Sequence, residues 1–346
     1  MTKVMKKETI LMVYVGFATF VKRDIRILET KYNVEKYHFN TSKKYLLPFA
    51  FVKQFFKLVV CTKKYKKIVV QSSGYVSFLP VLFGRLFKVP VIIIAIGTDC
   101  AKLPEINYGA HTKFILAWFT RFSFRKASLI LPVHKSLEKS IYTYIPVKFK
   151  QQGIRSFVNK ITTPIIEMVN GYEVEKWMLL DKNRQKSSFL TVTFALNEVG
   201  YYRKGIDMIL FLAKSFPKHQ FTIVGEVYLK EACPKNVQLI PNIPQSELVE
   251  IYNSHQYYLQ LSMFEGFPNA LCEAMLCGCI PIGSNVAGIP DIIGKEGYIL
   301  KEKKESELVK IINNLSNNRI KPIDSRNQIV TNFSLQRRID TFLTHV

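Results

Sequence analysis

The apolar runs VPVIIIAI (89–96), KIVVQS (67–72) and SLILPV (128–133) do not alternate between apolar and polar positions. A strand with one wet face alternates, so an unbroken β-branched run has to be covered on both faces. That condition is met in a parallel sheet sandwiched between helices. ILMVYV (10–15) and VEKYHF (34–39) extend the series, and Phe20–Lys31 between them carries Ile25, Ile27 and Leu28 at helical spacing. Pro80 and Pro90 are expected at helix–strand joints. A second series follows: FLTVTFAL (189–196), QFTIVG (220–225), VQLIP (237–241), YYLQLS (257–262) and CIPIGS (279–284). Helical patterns at Ile206–Ser215, Ser246–Ser254 and Pro268–Cys277 separate these strands. The polar, turn-rich stretch 169–188 reads as the junction.

The fold class expected is therefore α/β, with two doubly wound, Rossmann-like parallel sheets facing a central cleft. The boundaries expected are 1–168 for a basic first domain and 169–330 for a second, with 331–346 as a helix returning to the first. At 346 residues the chain is long enough for two cores.

Charge separates the halves. Residues 1–185 hold 32 Lys/Arg and 11 Asp/Glu, a net +21, whereas residues 186–346 hold 17 and 15, a net +2. One half is thus suited to an anionic partner. KKYLLPFAFVKQFFKLVVCTKKYKK (43–67) has eight lysines, no acid and many aromatics, and KFILAWFTRFSFRKAS (113–128) repeats the mixture. Interleaved lysines and apolar residues suit a helix lying on an anionic bilayer. They equally suit a helix packed on its own sheet with a solvated basic rim. No nucleic-acid motif accompanies the charge, so nucleic acid is not expected as a partner.

The six cysteines have no metal spacing and read as reduced core residues. Lys3, Lys6 and Lys7 before the apolar run 9–21 imitate a signal peptide, but no A-x-A-like site follows and Lys22, Arg23 and Arg26 come at once. A buried first strand is the better reading. No uninterrupted apolar run reaches about 18 residues, so no transmembrane helix is expected.

The segment SMFEGFPNALCEAMLCGCIPIGSNVAGIPDII (262–293) sets Glu265 and Glu273 among apolar residues. It reads strand, loop, helix, with Pro268 in the first helical turn and Gly278 as a left-handed cap. Leu271 and Met275 share one helix face, and Asn269 and Glu273 another. A helix N-terminus can hold a phosphate, and carboxylates beside it would accept hydrogen bonds from sugar hydroxyls. Taken alone, the two acids could equally be a cap and a surface charge.

The surrounding residues resemble the donor-site signature of the retaining GT-B glycosyltransferases of family 4 (glycosyl transferases group 1). The matching features are Glu-Gly-Phe-Pro, a Leu-x-Glu-Ala-Met helix, Cys-Gly, an apolar-Pro-apolar strand and a Gly-Ile-Pro-acid loop. GYYRKGIDMIL (200–210), FTIVGE (221–226), VNGYEVEKW (169–177) and the Gly-x-Asp of VPVIIIAIGTDC (89–100) are similar to further family segments.

The resemblance implies a transferase that moves a sugar from a nucleotide-sugar such as a UDP- or GDP-sugar, with retention of anomeric configuration. The acceptor implied is a glycan or a lipid-linked sugar in cell-surface polysaccharide or glycolipid synthesis. Glu273 would hold ribose hydroxyls. Glu265 would steady the transferred sugar. Main chain around Phe267, Pro268 and Asn269 would surround the diphosphate, and Arg203 and Lys204 would neutralise it. Gly16 would let backbone approach the phosphates from the first domain, and Asp99 is a second candidate catalytic residue. The chain departs from the pattern at Glu198, where the family often has Arg or Lys, and at Ile96, where many members have His. His111 and His134 are therefore weighed as first-domain histidines.

No D-x-D occurs, so no metal and no further cofactor are expected. The location expected is cytoplasmic, peripheral on the inner face of the membrane. The rival readings are a membrane- or nucleic-acid-binding module on a degenerate scaffold, and an epimerase or phosphorylase of the same fold.

Overall fold

The computed structural model describes residues 7–40, 43–317 and 319–346. Lys3 and Lys6 of the basic start lie outside them. The chain forms two compact units: residues 1–140, 151–170 and 336–346, and residues 141–150 and 171–335.

In the first unit the elements run β1 (Thr9–Tyr14), α1 (Thr19–Lys31), β2 (Asn33–His38), α2 (Leu47–Cys61), β3 (Ile68–Gln71), α3 (Tyr75–Phe87), β4 (Val91–Ala95), α4 (Phe114–Lys126) and β5 (Leu129–Pro132). The strands lie in the order β2-β1-β3-β4-β5, every pair parallel. β3, β4 and β5 are buried along their whole length, as their unbroken apolar runs require. Short β6 (Ser140–Ile141), β7 (Gln151–Gln152) and α5 (Ile154–Phe157) follow.

In the second unit come β8 (Gln185–Val192), α6 (Glu198–Arg203), α7 (Ile206–Ser215), β9 (Gln220–Val224), β10 (Val237–Ile240), α8 (Gln245–Ser254), β11 (His255–Gln260), α9 (Asn269–Leu276), β12 (Ile280–Ser284), α10 (Ile289–Ile293), β13 (Tyr298–Leu300), α11 (Glu305–Asn313) and α12 (Pro322–Asn332). Its sheet order is β10-β9-β8-β11-β12-β13, again parallel throughout. The last helix is α13 (Leu335–His345).

Two boundary expectations need correction. Residues 141–150 group with the second unit, not the first. Tyr142 Oη donates to the Met263 carbonyl at 2.8 Å, and Lys303 N–H donates to the Tyr144 carbonyl at 2.8 Å. The second unit also runs on to Leu335 instead of ending at 330. The return to the first unit, at 336–346, rests on Arg338. Its guanidinium meets both oxygens of buried Asp24, at 2.8 and 2.7 Å, and also donates to the Met168 and Val169 carbonyls. A buried guanidinium with this many acceptors is a geometry that leaves no uncompensated charge.

Pro80 does not mark a joint. It lies inside α3. A proline cannot donate to the carbonyl four residues back, and the Val76 carbonyl instead accepts from the Gln54 side chain of α2 at 3.1 Å. The lost helical bond is replaced across a helix pair, so the helix continues through the proline.

Candidate functional site

The second unit gathers most of the expected donor residues around the end of β11. The chain leaves that strand at Gln260 and turns through Glu265 and Gly266 into α9. Pro268 sits at the N-cap, one residue before the helix, and not in its first turn as expected. Cys277 ends the helix, and Gly278 follows at φ +83°, as a left-handed cap should.

The loop is held by its aromatic residue. The buried Phe267 ring packs edge-on against Phe333, with centroids 5.3 Å apart, and stacks at 6.5 Å over Tyr172. Tyr172 Oη then donates to Asn269 Oδ1 at 2.7 Å. The side chains of Phe267 and Asn269 therefore anchor the loop and the helix start.

Glu265 meets a cation. Lys204 Nζ donates to Glu265 Oε1 at 2.5 Å, with both side chains part-buried. Three local features put Lys204 there. Asn197 caps α6 by accepting from Gly200 N–H at 2.8 Å. Lys204 ends that helix, and Gly205 turns the chain at φ +75° into α7. Met263 N–H then donates to the Arg203 carbonyl at 2.7 Å, tying the α6–α7 turn to the β11 loop. A side chain at Gly205 would meet the Leu261 carbonyl at 2.4 Å, so the turn can approach the strand end only with glycine.

Glu273 lies one turn inside α9 and is 9% exposed. Gln245 Nε2 donates to one oxygen at 3.2 Å, and Tyr252 Oη lies 3.4 Å from the other. Both contacts are long for a carboxylate acceptor. Burial, then the Glu273 charge, pushes the Tyr252 hydroxyl well up, so it remains a donor. Gln245, Tyr252 and Tyr172 were not singled out from the sequence. Tyr252 alone had a visible signal, as an inward position of α8.

The other expected residues lie in the first unit. Gly16 is exposed in the turn after β1, and a Cβ there would meet nothing within 4 Å. The local fold makes no demand for glycine at that position.

Asp99 lies beneath the ends of β3 and β4. Its carboxylate is buried and accepts from the backbone N–H groups of Ser73 (2.8 Å), Gly97 (3.0 Å) and Ile96 (3.2 Å), with the Ser72 hydroxyl at 3.3 Å. Burial pushes the carboxyl up and the backbone donors oppose this. Both oxygens are engaged in clamping the β3 and β4 loops.

His134 accepts from Ser136 N–H and caps a short turn. His111 is 3% exposed and lies 4.7 Å from the Phe157 ring. Burial, then the charge of Arg121, pushes its imidazole down to about 3.

The six cysteines are free thiols, and burial pushes Cys279 up to about 12. Among the described residues no group of three or more His, Cys, Asp or Glu stands together as a metal site.

Residues 191–333 match the family model described as glycosyl transferases group 1. Protein CapJ of Staphylococcus aureus is 23% identical over 300 residues, covering 82% of this chain and 72% of CapJ. A phosphatidylinositol N-acetylglucosaminyltransferase component of Arabidopsis thaliana is 25% identical over 124 residues, 32% of this chain and 28% of that protein. The matched stretch thus spans under a third of the length of that relative.

Among solved structures, sucrose-phosphate synthase from Thermosynechococcus elongatus superposes with a TM-score of 0.74 at 12% identity, covering 98% of both chains. Anabaena HepE in complex with UDP and glucose superposes with a TM-score of 0.70 at 15% identity, covering 98% of this chain and all of that one. At these identities the superpositions establish the fold, which is the GT-B type.

Proposed function

From a chain whose residues 191–333 are of the group 1 glycosyl transferase type, we propose a transferase that takes a nucleotide-sugar into its second unit and passes the sugar on with retention of configuration. The observation that carries this reading is the Lys204–Glu265 pair, placed at the strand end just before α9, with Glu273 one turn further along.

Each group has a task fitted to its chemistry. The N-terminus of α9 offers N–H groups and a partial positive charge to a diphosphate. Lys204, with Arg203 beside it, stabilises the charge that builds on the departing nucleoside diphosphate. Before transfer, Lys204 neutralises Glu265 and holds it in place. Once the ammonium is drawn towards phosphate, Glu265 is left to accept from hydroxyls of the hexose. Glu273, whose contacts to Gln245 and Tyr252 are long, accepts from the ribose diol.

The acceptor hydroxyl attacks on the face from which the diphosphate leaves, and its proton passes to the leaving phosphate oxygen. Glu265 acts by position and field and forms no covalent bond. Charge on the diphosphate is met by cations and helix N–H groups, without a metal. The acceptor class is a glycan or a lipid-linked sugar. One relative, the phosphatidylinositol N-acetylglucosaminyltransferase of Arabidopsis thaliana, is named for a lipid acceptor, which supports testing lipid-borne acceptors first. HepE was solved with UDP and with UDP-glucose, which makes UDP-sugars the first donors to try.

The test is a thermal-shift panel of UDP, GDP, ADP and their sugars, each with and without EDTA. Stabilisation by one nucleotide, unaffected by EDTA and lost in Glu273→Ala, supports the reading. No stabilisation by any of them overturns it and favours a binding module on a transferase scaffold.

A further inference from the structure

The first unit leaves a large apolar surface uncovered. Connections between parallel strands are right-handed. In the order β2-β1-β3-β4-β5, the crossovers through α2, α3 and α4 all run in one direction, and the crossover through α1 runs in the other. α2, α3 and α4 therefore share one face of the sheet. Aromatic contacts link them: Phe51 of α2 meets Tyr75 of α3 and Phe119 of α4, and Phe78 of α3 meets Trp118 of α4.

α2 turns Gln54 and Leu58 inward. On its opposite arc Phe49 is 72% exposed, Phe56 63% and Val60 80%, with Val52 and Val59 beside them. α4 buries Ala117, Thr120 and Phe124 and exposes Phe114, Ile115 and Trp118 on its other side. Scattered apolar residues on a surface are ordinary, but a contiguous patch rimmed by charge marks a docking face.

The rim identifies the occupant. Lys53 and Lys57 follow the apolar arc of α2 round one flank. Together with Lys36 and His38 they line an open cavity of about 490 Å³, in which Lys57 is paired with Glu35 and Lys36 with Glu29. A second copy of a chain with net charge +23 would bring like charge to this face. A nucleic acid would find aliphatic valines in place of a stacking platform. An anionic bilayer supplies both an apolar layer and phosphates at matching depth. No described helix is long and apolar enough to cross a membrane, so the contact is one of lying on the surface.

We propose that the first unit docks on an anionic lipid bilayer through α2 and the first turns of α4. Phe49, Phe56, Val60 and Trp118 enter the headgroup–acyl boundary, and Lys53 engages a lipid phosphate. The surface is independent of the donor residues in the second unit, so nucleotide binding and membrane binding can each fail alone.

The full chain is sedimented with phosphatidylglycerol–phosphatidylcholine vesicles and with phosphatidylcholine vesicles. Only the anionic vesicles should carry it down, and less of it as salt rises through about 0.1 M. Phe56→Glu and Val60→Glu should each lower partitioning about tenfold or more, and Lys53→Ala about fivefold. Leu239→Glu, an exposed apolar site of the second unit, should have no effect.

Trp118 gives a readout that needs no variant. The chain has two tryptophans and the other, Trp177, is buried. Vesicles should shift the emission to the blue, and brominated lipid chains should quench it. The proposal is overturned if the wild type stays in solution, if Phe56→Glu and Val60→Glu bind as the wild type does, or if Trp118 does not respond. It is equally overturned if the same variants abolish a lipid-free dimer.

Discussion

His111 offers a quantitative test of the first unit. Its imidazole is buried against the Phe157 ring, and burial pushes it down to about 3 in the fold, against an ordinary value of 6.5. Because the folded value is depressed, the unfolded chain binds the extra proton first as pH falls. Stability from this group is therefore complete above pH 6.5 and is lost progressively down to about 3. Linkage between those two values gives a loss of about 2 kcal/mol on going from pH 7 to pH 5.

The substitution His111→Leu removes the titration and puts an apolar side chain in the place of the buried imidazole. Urea unfolding at pH 7, 6 and 5, for wild type and variant, isolates the effect, since the depressed histidines His219 and His255 are common to both and cancel. Glu35, lowered to about 2 by Lys57 and Lys64 against the opposing effect of burial, loses its contribution below about pH 4.5 and lies outside the window. The variant should be as stable as the wild type or more stable at pH 7, and should lose about 2 kcal/mol less by pH 5. Parallel pH dependences in the two proteins would refute the buried, neutral imidazole.

Four further outcomes follow from the second unit. Glu273→Ala should weaken nucleotide binding by about tenfold to a hundredfold, the worth of a hydrogen bond to a charged acceptor, with calorimetric titration as the check. Glu265→Ala should lower kcat for transfer while nucleotide affinity changes by less than about threefold. Lys204→Ala and the Glu265→Ala/Lys204→Ala double variant complete a cycle. Non-additivity of about 1 kcal/mol or more in transfer is expected for two groups in direct contact, and strict additivity would separate them. Gly205→Ala should cost about 1–3 kcal/mol in unfolding free energy, since it combines a left-handed φ with a clash against the Leu261 carbonyl. A melting temperature unchanged by that substitution would contradict the turn geometry.

The unbroken runs at 67–72, 89–96 and 128–133 were sufficient to predict parallel strands, because no other arrangement covers both faces of such a strand. The same logic placed β9 and β12 nearly to the residue. α2 and α4 were legible only as mixed basic-aromatic stretches. Which of their residues face water depends on the helices beside them, and it took the packing of α3 to show that Phe51 turns in while Phe56 turns out. Pro80 misled for a related reason: its compensating donor, Gln54, lies 26 residues earlier, beyond the reach of local rules.

In the site, Glu265 and Glu273 stood out as carboxylates set among apolar residues, and Lys204 only through the family resemblance of its segment. That Lys204 and Glu265 are each other's partner, 61 positions apart, followed only from the Gly205 turn docking on the end of β11. In the sequence Asp99 is a lone acid after a strand. Three backbone donors converging from two loops make it a clamp, and no local pattern announces such convergence. The sequence by itself determined the sheets, their direction and the residue types available for chemistry, since period and burial are properties of short segments. Tertiary structure decided which charges meet, which acid is already engaged and which apolar face stays bare, because those depend on contacts between segments far apart in the chain.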